Sequence, residues 1–300
     1  MKDSSDDLKI KRGYLHCDFE FFHLKDKKNM EFEFHYHDFN KIIIFMSGKV
    51  TYLIEGKAYK LKPWDILFVS SNEVHRPIIS PDEPYERIVI WVNSKFLEMH
   101  NYGGDNLLAC FELALKQKMN LMRLDSESMK IVKNNLHLLG EAVRDNAFGC
   151  HILKNSLFLQ LIIYLNRLRL GNEILKEDND IEYDERIGRI LEYINENLGE
   201  NLSLENIAAK FYMNKYYLMH RFKRVTGCTI HGYINQKRIL YAAGLIMKGR
   251  QITEIYEECG FGDYSSFIRA FKKIFELSPK QYYKAVMEYE AFYLKKYRQQ

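Results

Sequence analysis

Proline is scarce in this 300-residue sequence, and where it is missing matters. Five prolines stand at positions 63, 77, 81, 84 and 279, so residues 85–278 contain none. Helix interiors exclude proline, which lacks the N–H and clashes with the preceding turn. A strand-and-turn N-terminal region followed by a long helical one is therefore predicted. Paired cysteines are missing too: Cys17, Cys110, Cys150, Cys228 and Cys259 are odd in number, far apart and without a CxxC. That excludes a disulfide framework and a zinc knuckle, and fits a reducing compartment. No apolar run approaches the roughly eighteen residues of a spanning helix. The opening MKDSSDDLKIKRGY has acid where a signal peptide is basic and then apolar, so a cytoplasmic protein is expected. With 16 glycines and 14% aromatics the chain is neither collagenous nor disordered. Its length suits about two domains.

Acidic charge is also missing from one stretch. Residues 1–183 hold 25 Lys/Arg against 27 Asp/Glu, a net of −2, whereas residues 184–300 hold 19 against 13, a net of +6. Residues 206–253 contain nine basic residues and no acidic one. Such a stretch suggests a surface that faces a polyanion.

What is present divides at about residue 105. Before it lie short strand-like runs: KIIIFM (41–46), KVTYLI (49–54) and KAYKL (57–61) across Glu55-Gly56, ILFV (66–69) and ERIVIWV (86–92). Many short strands joined by tight turns predict a barrel or sandwich. Beyond it, residues 107–119, 126–147 and 151–170 carry apolar positions at three- and four-residue spacing. In the third run the stripe is wide enough to be either core or a dimer interface. The polar, acidic GNEILKEDNDIEY (171–183) reads as a linker.

Two similar units follow. In residues 202–227 Ser203 caps a first helix, Tyr212-Met213-Asn214 breaks it, and a second helix turns Leu218 and Phe222 inward. Around them stand Asn214, Lys215, Tyr216, Tyr217, His220, Arg221, Lys223 and Arg224, the polar and basic face that a helix in a major groove requires. In residues 251–277 Ile252 and Ile255 pack, Cys259-Gly260-Phe261 turns, and Phe267, Ala270 and Phe271 point inward. Tyr264, Ser265, Ser266, Arg269, Lys272 and Lys273 point outward. Residues 229–247 read as one connecting helix that carries Lys237 and Arg238. Two readers on one rigid connector would enter major-groove faces about one helical turn of DNA apart. Asp263 reads better as an N-cap than as a base contact.

The segments LSLENIA (202–208), YLMHRFKRVTG (217–227), Arg238 with Ala242 and Leu245-Ile246, ITEI (252–255), CGFGDYSSFIRAFKK (259–273) and LSPKQY (277–282) resemble the AraC/XylS family of bacterial transcription regulators. The resemblance implies two helix-turn-helix subdomains binding promoter DNA, usually as an activator working with RNA polymerase. It places reading at Arg221 and residues 214–217, and at Tyr264, Ser265, Ser266 and Arg269. Three positions depart from the family pattern: Tyr256 for a usual Ala, Glu276 for a usual Gly and Tyr283 for a frequent Arg.

Residues 34–48 and 52–77 resemble the cupin-like arm domain of the same family. The fold class implied is α+β: an N-terminal cupin-like β-barrel (1–105), a helical dimerisation region packed on it (106–175) and a linker (176–183). An all-α domain (184–300) follows, with helix-turn-helix units near 203–225 and 251–274. Metal-binding cupins supply an HxH pair, a carboxylate and a later histidine here. His35, His37 and His75 fit, but Lys41 stands at the carboxylate position and opposes a divalent cation, so no metal and no cofactor are expected. Trp64 also replaces the usual Gly before Asp65.

Without that metal, enzyme chemistry has no base–acid pair to use, and the expected role of the barrel is ligand sensing. Phe22, His35, His37, Lys41, Ile43, Tyr52, His75, Arg76 and Trp91 are the interior candidates, an aromatic and hydrogen-bonding set suited to a sugar or small anion. Equally, His35 and His37 read as strand residues partly facing solvent, with Trp91 in the core. The function expected is a ligand-responsive, sequence-specific DNA-binding regulator, a homodimer that activates sugar or small-metabolite genes. A repressor or architectural binder with a vestigial barrel, and a metal-dependent cupin enzyme, are the alternatives.

Overall fold

The computed structural model describes residues 15, 17–26, 32, 34–37, 39–71, 73–171 and 180–298. Of the sequence readings, residues 176–179 of the linker and much of the N-terminal arm lie outside the described residues. Contacts divide the chain into two units, Tyr14–Glu182 and Tyr183–Gln300.

Among the described residues the first unit is built on nine short strands: β1 (Phe19–Asp26), β2 (Asn40–Ser47), β3 (Val50–Ile54), β4 (Lys57–Lys60), β5 (Ile66–Val69), β6 (His75–Ile79), β7 (Tyr85–Val92), β8 (Leu121–Met122) and β9 (Ile181–Tyr183), whose last residue begins the second unit. They form two sheets, one ordered β1-β7-β2-β5-β8 and the other β6-β3-β4-β9. Each sheet ends in unpaired edges, so the arrangement is an open two-sheet sandwich. The expected closed barrel is thereby corrected: β2 and β3 are consecutive but belong to different sheets, and among the described residues no ladder joins the edges of one sheet to those of the other. Gly48, at φ 120°, makes the turn between them, and a Cβ there would meet the Pro84 carbonyl oxygen at 2.9 Å.

Alternation along the strands fills the sandwich. Ile43, Phe45, Leu67, Val69, Val89 and Trp91 from one sheet meet Val50, Tyr52, Ile54 and Tyr59 from the other in one buried cluster. The opposite face of the five-stranded sheet, with Ile42, Ile44, Phe68 and Ile90 all below 2% exposure, is equally apolar. Four helices accompany it: α1 (Ser94–Met99), α2 (Ala109–Gln117), α3 (Ser126–Arg144) and α4 (Cys150–Leu170). Phe158 of α4 stacks on Phe19 at 4.1 Å, and Phe111 of α2 meets Phe68 edge-on at 5.5 Å. Two buried polar side chains here are tied into the structure by hydrogen bonds. Asn166 accepts from the Cys110 N–H at 2.7 Å and donates to the Leu107 carbonyl at 2.9 Å. Arg123 donates to Asp65 at 3.1 Å and to Asp180 at 2.7 Å.

The second unit is helical: α5 (Glu185–Glu196), α6 (Leu204–Lys210), α7 (Lys215–Thr226), α8 (Ile230–Met247), α9 (Ile252–Glu258), α10 (Tyr264–Phe275) and α11 (Pro279–Arg298). Side-chain caps start most of them: Asp184, Ser203, Asn214, Thr229 and Asp263 each accept a backbone N–H in the first turn of the helix that follows. Helix α7 closes on Gly227 at φ 74°, a left-handed position that glycine takes without strain. Helix α10 closes on Glu276 at φ 58°, where the same conformation is held against a Cβ. In no helix among the described residues is there a stretch long and apolar enough to cross a membrane.

Candidate functional site

Helices α6 and α7, and again α9 and α10, form the two helix-turn-helix units. Leu218 and Phe222 of α7 are wholly buried, with Thr226 behind them donating to the Phe222 carbonyl at 2.8 Å. The helix therefore shows solvent its remaining faces: Asn214, Lys215, Tyr216, Tyr217, His220, Lys223 and Arg224 are all exposed. Arg221 sits elsewhere. Its Nε donates to the Asp184 carboxylate at 2.7 Å, and its guanidinium also meets the Tyr217 hydroxyl. These bonds hold the Arg221 proton more firmly than usual. Asp184 is at once the N-cap of α5 and the counter-ion of α7.

Helix α10 repeats the pattern with different fastening. Phe267 and Phe271 are wholly buried and continue through Phe275 and Tyr282 as a ladder of rings 4.6 to 5.7 Å apart. Tyr264, Ser265, Arg269, Lys272 and Lys273 are exposed, and Ser266 is half-buried. Asp263 caps the helix, accepting from the Ser266 N–H at 2.8 Å and from its hydroxyl at 2.7 Å. These bonds hold its carboxyl below the usual range. Tyr256 finds room by meeting Tyr264 edge-on at 5.8 Å.

Helix α8 joins the two units, and its Arg238 is a clamp. The guanidinium donates to the Leu198 carbonyl at 2.9 Å and to the Glu200 carbonyl at 2.7 Å, and lies over the Phe261 ring. Gly260, at φ 79°, makes the turn between α9 and α10 directly beneath it; a Cβ there would meet both the Leu198 oxygen and the guanidinium at 2.6 Å. One arginine thus ties the α5–α6 loop, α8 and the second turn together. Lys237 is half-buried, its ammonium 5.5 Å from the Tyr233 ring. Within the helical unit a groove of about 850 Å³ is lined by Met219, His220 and Lys223 of α7 and by Phe261 of the second turn.

In the first unit most sequence-selected ligand residues converge inside the sandwich. Lys41, on β2, is 6% exposed, and its Nζ lies 2.6 Å from His37 Nε2 and 3.3 Å from His75 Nε2. His75 Nδ1 faces the Glu73 carbonyl at 2.8 Å and so carries the proton, leaving Nε2 as a lone pair toward the amine. Burial, reinforced by the charge of Lys41, pushes the pKa of His37 and of His75 down and keeps both imidazoles neutral. Lys41 is itself pushed down to about 7 by burial and by the nearby Arg87. Trp91 lies 4.9 Å from Phe22 and 4.7 Å from Phe39, His35 lies 4.5 Å from His75, and Tyr52 faces His75 at 6.1 Å. The ligand atoms of His35, His37 and His75 fall within 4.8 Å of one another, but the Lys41 amine is set between two of them where a cation's charge would have to lie. Arg76 is the exception. Strand alternation turns His75 and Pro77 inward and Arg76 outward, where its guanidinium covers Phe34 at 4.5 Å.

The chain matches the AraC-like ligand binding domain over residues 20–162 and a helix-turn-helix domain over residues 207–285. It belongs to the AraC/XylS family of transcription regulators. This AraC/XylS regulator is 23% identical over 253 residues to the HTH-type transcriptional activator RhaS of Escherichia fergusonii, covering 82% of this chain and 86% of that one. It is 24% identical over 252 residues to RhaS of Salmonella arizonae, covering 82% and 85%. Among solved structures it is similar to the C-terminal domain of AraT, a response regulator from Geobacillus stearothermophilus, with 28% identity, 34% and 86% coverage and a TM-score of 0.33. The kinship of this AraC/XylS regulator is with DNA-binding regulators and not with enzymes.

Sequence reasoning missed two brackets of this site. Asp184 was read only as the start of a domain, although an acid at the foot of α5 is the one signal for the Arg221 ion pair. Gly260 was read only as a turn residue, although its lack of a Cβ is what admits Arg238.

Proposed function

We propose that this regulator activates genes for a small metabolite when that metabolite occupies its N-terminal unit, and that α7 and α10 read promoter DNA. The observation that carries the reading is the Arg238–Gly260 clamp, which makes two capped helices with exposed polar and basic faces into one rigid pair. Activation is inferred from the relatives, which are described as transcriptional activators. In α7 the reading face comprises Tyr216, Met219, His220 and Lys223, of which the last three line the groove within the helical unit. Arg221 braces α7 against α5 through Asp184 and does not read guanine. In α10, Tyr264, Ser265 and Arg269 read while Lys272 and Lys273 hold phosphate.

The proposed division of labour gives residues 1–105 to sensing, 106–175 to dimerisation, 176–183 to linking and 184–300 to DNA. Ile152, Leu153, Ile163 and Leu170 on α4 are 75%, 48%, 39% and 59% exposed, an apolar face suited to a second copy. RNA polymerase is the further partner that activation requires. Selection of genomic fragments on the purified full-length protein tests the reading. A bipartite motif with half-elements about one helical turn apart is expected. Retention that depends only on salt, with no shared sequence, would refute it.

A further inference from the structure

Lys41 is a buried amine on an inward-facing position of β2, and among the described residues no carboxylate lies within ion-pair distance of it. Its hydrogen-bond partners are two imidazole nitrogens, both neutral acceptors. Burying an ammonium against neutral groups is unfavourable, because desolvation is not offset by an opposite charge. The other buried cation nearby is already satisfied: Arg87 donates to Asp26 at 2.5 Å and lies over the Tyr85 ring at 4.1 Å. One amine in the sandwich is therefore left without a counter-ion, and an incoming carboxylate would hold its proton there. A second unmet group belongs to the same cluster. Because His37 Nε2 accepts from Lys41, the ring proton is on Nδ1, which is buried with no hydrogen-bond partner. The walls around these donors are rings, namely Phe22, Phe39 and Trp91, and Phe22 and His37 are only partly buried.

Resting on the reading of this unit as a sensor, we propose that its effector is a small monocarboxylate with a flat or branched apolar body. The carboxylate accepts from Lys41, and the His37 Nδ1–H is the second donor of the cluster. A neutral sugar supplies no charge and would leave the amine without a counter-ion. A phosphate monoester brings a second negative charge, and the other inward cation nearby among the described residues, Arg87, is committed to Asp26 while Arg76 faces outward. The rings suit an apolar body by stacking and by area buried.

The test compares acids with their isosteric amides on the full-length protein. Benzoate, phenylacetate and 3-methylbutanoate are titrated calorimetrically against benzamide, phenylacetamide and 3-methylbutanamide, with L-rhamnose as the neutral sugar. Wild type, Lys41→Met and the outer-face control Arg76→Met are used. At least one acid is expected to bind wild type and Arg76→Met ten or more times more tightly than its amide, and to lose that preference in Lys41→Met. Ligand-free Lys41→Met is expected to melt roughly 2–4 °C above wild type, because a buried amine without a counter-ion has been replaced by an apolar chain. Equal binding of acid and amide, an acid preference that survives in Lys41→Met, or failure of all three acids together with a lower melting temperature for Lys41→Met would each overturn the proposal. Measuring promoter-fragment binding in the same samples separates the two levels. If the sugar alone changes it, the effector class is wrong and sensing stands; if no compound changes it, the sensor reading fails as well.

Discussion

Helices α7 and α10 hold equivalent places in the two repeats and both bury apolar side chains, Leu218 with Phe222 and Phe267 with Phe271, yet α7 adds a charged brace and α10 a longer ladder of stacked rings. The Arg221–Asp184 pair is partly exposed, at 27% and 11% of the side chains, so water and salt compete for it. The Phe267–Phe271–Phe275–Tyr282 ladder excludes water and is indifferent to salt. The contrast teaches that one helix-turn-helix pattern leaves open how its reader is anchored. The anchor decides which perturbation loosens which reader.

The comparison breaks most completely at Phe271. Removing this wholly buried ring should cost about 3–5 kcal/mol and abolish the second reader, seen as an early thermal transition of the helical unit. An unchanged melting profile would mean that the ladder is not the anchor. Next is Gly260→Ala, where a left-handed φ and contacts at 2.6 Å combine; a loss of about 2–4 kcal/mol is expected. Because the clamp serves both units, both half-elements of a selected DNA motif should weaken together. Arg221→Ala and Arg269→Ala sharpen the contrast. The first, as a brace, should weaken DNA binding a few-fold on every sequence and more so at low salt. The second should change base preference in one half-element only, which randomised-operator selection would reveal; a shifted preference from Arg221→Ala would restore it to the reading face. Smallest is Glu276→Gly, which should stabilise the protein by about 1 kcal/mol by removing a Cβ from a φ of 58°. A lower melting temperature would show that the Glu276 side chain contributes there.

Much of this was legible in the chain. The spacing of Leu218 with Phe222 and of Phe267 with Phe271 announced the second helix of each helix-turn-helix unit, and Ser203 and Asp263 announced the caps of α6 and α10. The short strands of the N-terminal region were legible too, but their closure was not. Whether β2 and β3 share a sheet is decided by pairings between residues far apart in sequence, such as Phe19 with Val92, which no local pattern carries. Arg76 shows the opposite case. Its outward direction follows from the alternation that turns His75 inward, so the strand period held the answer. The brace at Arg221 was hidden because its partner, Asp184, is 37 residues away.

The Arg238 clamp has one more property. Both of its acceptors, at Leu198 and Glu200, are peptide oxygens that every residue type possesses. Drift in the side chains of that loop therefore leaves the lock intact, and mutational wear can reach it through very few positions. A lineage is free to rewrite the side chains of that loop without loosening the grip that holds the two helix-turn-helix units together.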